Sequence, residues 1–117
     1  MTQPVNVDNL SQLKELIGDD LKDILQTFLE IAPTSLNGIK IAIAEENAEA
    51  LRYQAHTLKG SAANIGATTL PALCLALENK GKEGVTHGLE TLFSQIEDET
   101  NQVMDFLCHT IDHFSQL

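Results

Sequence analysis

Positive charge is scarce in this sequence: 7 Lys+Arg stand against 17 Asp+Glu in 117 residues, a formal net charge of −10. After Lys82 there are seven acidic residues and no Lys or Arg. A phosphate backbone is held by Lys and Arg that displace condensed counterions, so this balance argues against nucleic acid and toward a protein partner. Long hydrophobic runs are missing too. Asn, Lys or Glu interrupts each apolar stretch well short of the roughly 20 residues a bilayer span needs, which excludes a membrane-spanning helix. Residues 1–9 are polar, lack a basic start and lead into no apolar run, so no targeting segment is expected. Cysteine is limited to Cys74 and Cys108, which form neither a CxxC pair nor a cluster with histidine; both are expected to be reduced, mostly buried thiols of a cytoplasmic protein. A Gly-rich phosphate loop, a Walker motif and the kinase catalytic set are all absent, so no ATP-dependent kinase activity is expected.

What is present is enough apolar material, 43% of residues, for one small domain over residues 1–117. It recurs at helical spacing, and alternating runs of the kind strands need are lacking. A short first helix carries Leu10, Leu13, Leu16 and Ile17, capped by Asp8 or Asn9 and ended by Gly18. A second begins at Asp19 or Asp20 and buries Leu21, Ile24, Leu25, Phe28, Ile31, Leu36, Ile39 and Ile43. Its stripe stays in phase through Pro33, favouring one kinked helix over two shorter ones. Leu51, Ala55, Leu58, Ala62 and Ile65 define a third helix between Asn47 and Gly66. Thr68 is the expected cap of a fourth, with Pro71 in its first turn, Leu70, Leu73, Cys74 and Leu77 inward, and Gly81 and Gly84 ending it. The rest of the chain after Gly84 reads as one long last helix with Leu89, Leu92, Phe93, Ile96, Val103, Leu107, Ile111 and Phe114 in its stripe, about 45 Å if unbroken at ~1.5 Å per residue. The expected fold is all-α: an antiparallel up-and-down four-helix bundle with an additional short N-terminal helix across one end.

On the third helix the apolar face points away from His56, so the imidazole faces outward. Arg52 and Lys59 lie one turn either side of it, and Gly60 and Ala63 share its face. Residues 50–77 contain no acid and include the sole arginine, a local positive island in an acidic chain. Gly60 is the oddity, since a glycine inside a helix costs roughly 1 kcal/mol relative to alanine. Its position on the His56 face favours room for an approaching surface over close helix packing.

The run over residues 55–67, AHTLKGSAANIGA, resembles the signature of histidine-containing phosphotransfer (HPt) domains, the phosphocarriers of two-component phosphorelays. The likeness extends upstream to Phe28, Leu29 and Pro33 and downstream to Leu70, Leu73, Cys74, Leu77 and Glu78. It implies that His56 takes a phosphoryl group on Nε2 from a receiver-domain aspartyl phosphate and passes it to another receiver aspartate. It implies that Lys59 pairs with phosphoryl oxygens, that Gly60 admits the receiver's loops, and that Glu78 accepts a hydrogen bond from the other ring nitrogen. No cofactor is implied on this chain; Mg²⁺ is expected on the partner receiver domain. The carrier is expected to act as a cytoplasmic monomer. Docking would use Arg52, Ala63 and Asn64 around His56, with apolar contact from Leu13 and Ile17. A free-standing carrier and the corresponding part of a hybrid sensor kinase both fit this length.

Two other readings compete. A non-phosphorylatable helical adaptor would bind a signalling partner by shape alone, and the joint presence of His56, Lys59 and Gly60 counts against it. An enzyme using His56 as general base lacks a visible acid or nucleophile. His109 and His113, four residues apart, lack a third ligand, so no metal site is expected; His87 and the Glu97, Asp98, Glu99 run read as solvated.

Overall fold

The computed structural model describes residues 3–117, so Met1 and Thr2, the start of the stretch read as non-targeting, lie outside the described residues. Five helices follow in order: α1 (Val7–Ile17), α2 (Asp20–Ala44), α3 (Ala48–Asn64), α4 (Leu70–Lys82) and α5 (Glu90–Asp112). A 3₁₀ turn, Phe114–Gln116, closes the chain. The helices form a bundle of 44 × 27 × 19 Å in which α3 packs most extensively on α4 and α2, while α1 lies against α2. Helices α2 to α5 are the expected four-helix bundle and α1 the expected additional helix. No described helix is long and apolar enough to cross a membrane.

The third-helix stripe is wholly buried: Leu51, Ala55, Leu58, Ala62 and Ile65 are each at most 1% exposed. They meet Leu21, Leu25, Phe28 and Ile39 of α2, Cys74 and Leu77 of α4, and Ile96, Val103 and Leu107 of α5 in one core. Helix α2 runs unbroken through Pro33, because a proline withholds one donor while the buried positions on either side stay in register. Asn47 caps α3, its side chain accepting from Ala50 N–H at 3.0 Å.

Several boundaries and faces differ from expectation. Asn6, not Asp8 or Asn9, caps α1, accepting from Asn9 N–H. Thr68 caps nothing: its hydroxyl donates to the Gln3 carbonyl, and Thr69 precedes α4. Both changes have one cause, a bridge between Val5 and Ala67 that lays the segment before α1 along the α3–α4 turn and buries Val5 completely. Asn6 N–H also donates to Gly66 O, and Gly66 holds φ +77°, a left-handed conformation that a side chain would strain. Gly81 lies inside α4 and does not end it. Ile24, placed in the core by its spacing, is 40% exposed, as its position falls at the edge of the α2 stripe. Helix α5 stops at Asp112, which shortens it to about 34 Å at ~1.5 Å per residue. The C-terminal turn is held instead by Lys14, which donates to Phe114 O at 2.7 Å and stands 4.8 Å from the Phe114 ring centroid. Cys74 is buried, and burial pushes its thiol up to about 12; Cys108, expected to be buried like it, is exposed, and both are free.

Candidate functional site

Helix α3 presents His56 to solvent with 62% of its side chain exposed, because its stripe of buried residues occupies the opposite face. Helix α4 brings Glu78 against it from the side. The carboxylate is 4% exposed and lies 3.1 Å from His56 Nδ1 through Oε2, and 2.7 Å from Lys59 Nζ through Oε1. Lys82, one turn further along α4, adds a second ammonium 3.7 Å from Oε2. The Lys59 ammonium, above all, holds the Glu78 carboxyl below its ordinary value, with the His56 contact acting in the same direction against the penalty of burial. An ionised carboxylate only accepts hydrogen bonds, so His56 must carry its proton on Nδ1. In the neutral ring, Nε2 is then left with a lone pair directed away from the carboxylate.

The positive island expected from residues 50–77 is therefore not free charge. Glu78, the next residue, supplies the missing negative charge, and Arg52 is 3.9 Å from Glu49 on its own helix. Sequence distance hid this, since Glu78 reaches His56 across 22 positions.

Gly60 is exposed, and a Cβ built there would meet no atom within 4 Å. Close helix packing thus does not explain it. Ala63 and Asn64 are exposed on the same face, and an open groove of about 190 Å³ runs beside them between α2 and α3, lined by Ile24, Ile31, Ser61 and Asn64 among others. Leu13 is half-buried and packs against the core, while the exposed apolar positions of α1 are Val7, Leu16 and Ile17, with Leu16 79% exposed. Tyr53, not singled out by the sequence reading, is 61% exposed three residues before His56. Helical projection alone puts it on the face of Gly60, two turns away, so its signal was there to be read. Lys82 was equally legible as the residue four after Glu78. Gly81 was not: its missing Cβ would lie 2.8 Å from Arg52 N and 2.9 Å from Ala48 O, so it sets how closely α4 approaches α3.

His109 and His113 stack with ring centroids 4.3 Å apart, and among the described residues no group of three or more His, Cys, Asp or Glu is placed to hold a metal.

The helical bundle and the solvent-facing imidazole backed by a buried carboxylate define a class, the helical histidine phosphotransfer domains. Residues 23–112 match the family model for the Hpt domain, and the chain belongs to that family. The crystal structure of histidine-containing phosphotransfer protein B (HptB) from Pseudomonas aeruginosa PAO1 is similar over 97% of this chain and 98% of that one, with a TM-score of 0.89 and 26% identity. No curated protein matches the chain. Its role is histidine phosphotransfer in a phosphorelay. Proteins of this family are phosphocarriers and not kinases, and their partners are receiver domains of two-component systems.

The Glu78 cluster makes stability depend on pH with a definite sign. Because the folded carboxyl is held below its unfolded value, the native state binds fewer protons than the unfolded state between the two values. The cluster's contribution is complete above the ordinary carboxylate range and is lost as pH falls through the lowered value. Urea midpoints at neutral and acid pH should therefore fall more steeply for wild type than for Glu78→Gln.

Proposed function

We propose that His56 is the phosphoryl carrier, accepting the group on Nε2 from the aspartyl phosphate of one receiver domain and passing it to the aspartate of another. The observation that carries this reading is the contact between His56 Nδ1 and Glu78, which holds the exposed ring with Nδ1 toward the carboxylate and Nε2 outward. A neutral imidazole is a competent nucleophile near pH 7, and hydrogen bonding at the far nitrogen fixes its tautomer and orientation. Lys59, half-buried beside the ring, supplies the positive charge that incoming phosphoryl oxygens need. Gly60 keeps the approach to Nε2 clear.

The receiver docks on the exposed face of α3, with Gly60, Ala63 and Asn64 at its centre and Arg52 at its edge. Tyr53 and the groove beside Ile24 and Ile31 supply apolar contact, with Leu13 and the exposed Ile17 of α1 beyond them. Aromatic anchors of this kind carry a disproportionate share of interface energy. Mg²⁺ and the electrophilic pocket belong to the receiver in this reading, because Glu78, the acid against His56, is already engaged by Lys59. The carrier acts as a monomer and meets its partners in the cytoplasm.

Incubation with a phosphorylated receiver domain tests the assignment. Wild type is expected to acquire acid-labile, alkali-stable label, and His56→Gln to acquire none while its helical circular dichroism is unchanged. Label on the variant equal to wild type would move the carrier residue elsewhere. A folded wild type that binds receivers without acquiring label would instead support a shape-reading adaptor.

A further inference from the structure

Glu78 has more partners than orienting a neutral ring requires. An amide would accept the Nδ1 proton equally well, yet the position holds a charged carboxylate, 4% exposed, shared between a ring nitrogen at 3.1 Å and two ammonium groups at 2.7 and 3.7 Å. In this arrangement Lys59 is committed to Glu78 and not to the space in front of Nε2 where a phosphoryl group would sit.

Phosphorylation changes which group needs which charge. As the Nε2 lone pair forms the P–N bond, the bond from phosphorus to the receiver's aspartate oxygen breaks and the aspartate leaves as a carboxylate. No proton moves. The Nδ1 proton stays in place, so the ring, neutral before the step, becomes a cation carrying a phosphoryl dianion. Glu78 then faces a positive ring, and the phosphoryl oxygens face Lys59.

Resting on the His56 reading, we infer that Glu78 exchanges partners during transfer: it holds Lys59 while the ring is unmodified, takes up the ring's positive charge once Nε2 is phosphorylated, and so frees Lys59 for the phosphoryl oxygens. Lys82 remains beside Oε2 throughout, so the buried carboxylate is never without an ammonium. The other nearby groups do not supply this charge. Cys74 stays protonated on the buried side of α4, Arg52 on α3 stands beside Glu49, and no residue of α2 or α5 forms an ion pair with the cluster among the described residues.

The exchange has a chemical consequence. A phosphohistidine whose ring keeps its Nδ1 proton releases a neutral imidazole when it gives up the phosphoryl group, whereas a deprotonated ring must leave as an anion. A carboxylate against Nδ1 extends the pH range over which the ring stays protonated, and thus over which the carrier remains a ready donor.

Glu78→Gln retains an oxygen acceptor and removes the charge. Wild type and variant are phosphorylated from the same receiver, and the loss of label to an unphosphorylated receiver is followed from about pH 5 to 9, the range that brackets histidine titration. The alkaline fall in rate is expected about one pH unit or more higher in wild type, so that on that limb wild type transfers about tenfold faster. Lys59→Gln should load less phosphoryl group, with its alkaline limb at or above the wild-type pH. Coincident limbs for wild type and Glu78→Gln, or a Lys59→Gln limb lowered with that of Glu78→Gln, would overturn the exchange. If Glu78→Gln does not fold, the Nδ1 titration of phosphorylated wild type, read by ¹⁵N NMR, replaces it; a midpoint equal to that of a phosphohistidine peptide overturns the proposal. Absence of label on wild type would remove the His56 reading itself, an outcome distinct from either.

Discussion

Gly60→Gln is expected to yield a bundle at least as stable as wild type that exchanges phosphoryl groups with receiver domains about 100-fold more slowly, the scale of loss that small misplacements of reacting groups produce. The two halves of this expectation have different origins. Glycine inside a helix is destabilising by about 1 kcal/mol, and a Cβ at residue 60 meets no atom within 4 Å on an exposed face, so the substitution gains helix propensity without a clash at its root. The same side chain stands one turn from His56 on the exposed face of α3, in the path of any surface that must bring an aspartyl phosphate to Nε2. Thermal unfolding and receiver transfer kinetics measured on one preparation separate the two. Phosphoramidate, a donor too small to feel the obstruction, should label Gly60→Gln at the wild-type rate. Impaired labelling by both donors would place the glycine's role in the fold and not in docking.

Gly81→Ala should do the reverse, disturbing the fold first and the chemistry through it. The added Cβ falls 2.8 Å from Arg52 N and 2.9 Å from both Ala48 O and Arg52 Cα, all backbone atoms that cannot rotate away. Helix α4 must then withdraw from α3. Overpacking of this kind costs about 1–3 kcal/mol, which for a domain of this size lowers the melting temperature by several degrees. Glu78 lies one turn before Gly81 on the same helix, so the withdrawal lengthens its 2.7 Å and 3.1 Å contacts with Lys59 and His56. Slower transfer should therefore accompany the lower melting temperature. Gly84→Ala serves as the contrast: its Cβ would meet nothing, and only the strain of φ +77° is expected.

These two glycines show where the sequence was legible. The outward orientation of His56 and Gly60 follows from the 3.6-residue period of one helix, and the buried stripe that proves it lies within residues 51–65. The bundle was legible for the same reason, since each helix declares its own apolar face. Gly81 read as a helix terminator because nothing local distinguishes a glycine that ends a helix from one that lets another helix approach. The Lys59 ion pair, the Val5–Ala67 bridge and the Lys14–Phe114 contact share that origin: each depends on register between elements, which periodicity does not carry. Resemblance alone supplied Glu78. Ile24 and Cys108 were misplaced at stripe edges, where a few degrees of helix rotation decide between core and solvent.

On the proposed reading the nucleophile, His56, and the carboxylate that orients it, Glu78, stand on different helices, α3 and α4. On the docking face proposed above, residues of α3 can therefore be exchanged without touching the Glu78 carboxylate that reaches the ring from α4. The choice of partner and the readiness of the phosphoryl group to leave become separately heritable properties. On the proposed docking, a duplicated copy of such a carrier is rewired to a new receiver by changes at residues 53, 63 and 64 while its position in the phosphoryl-energy ladder stays where it was.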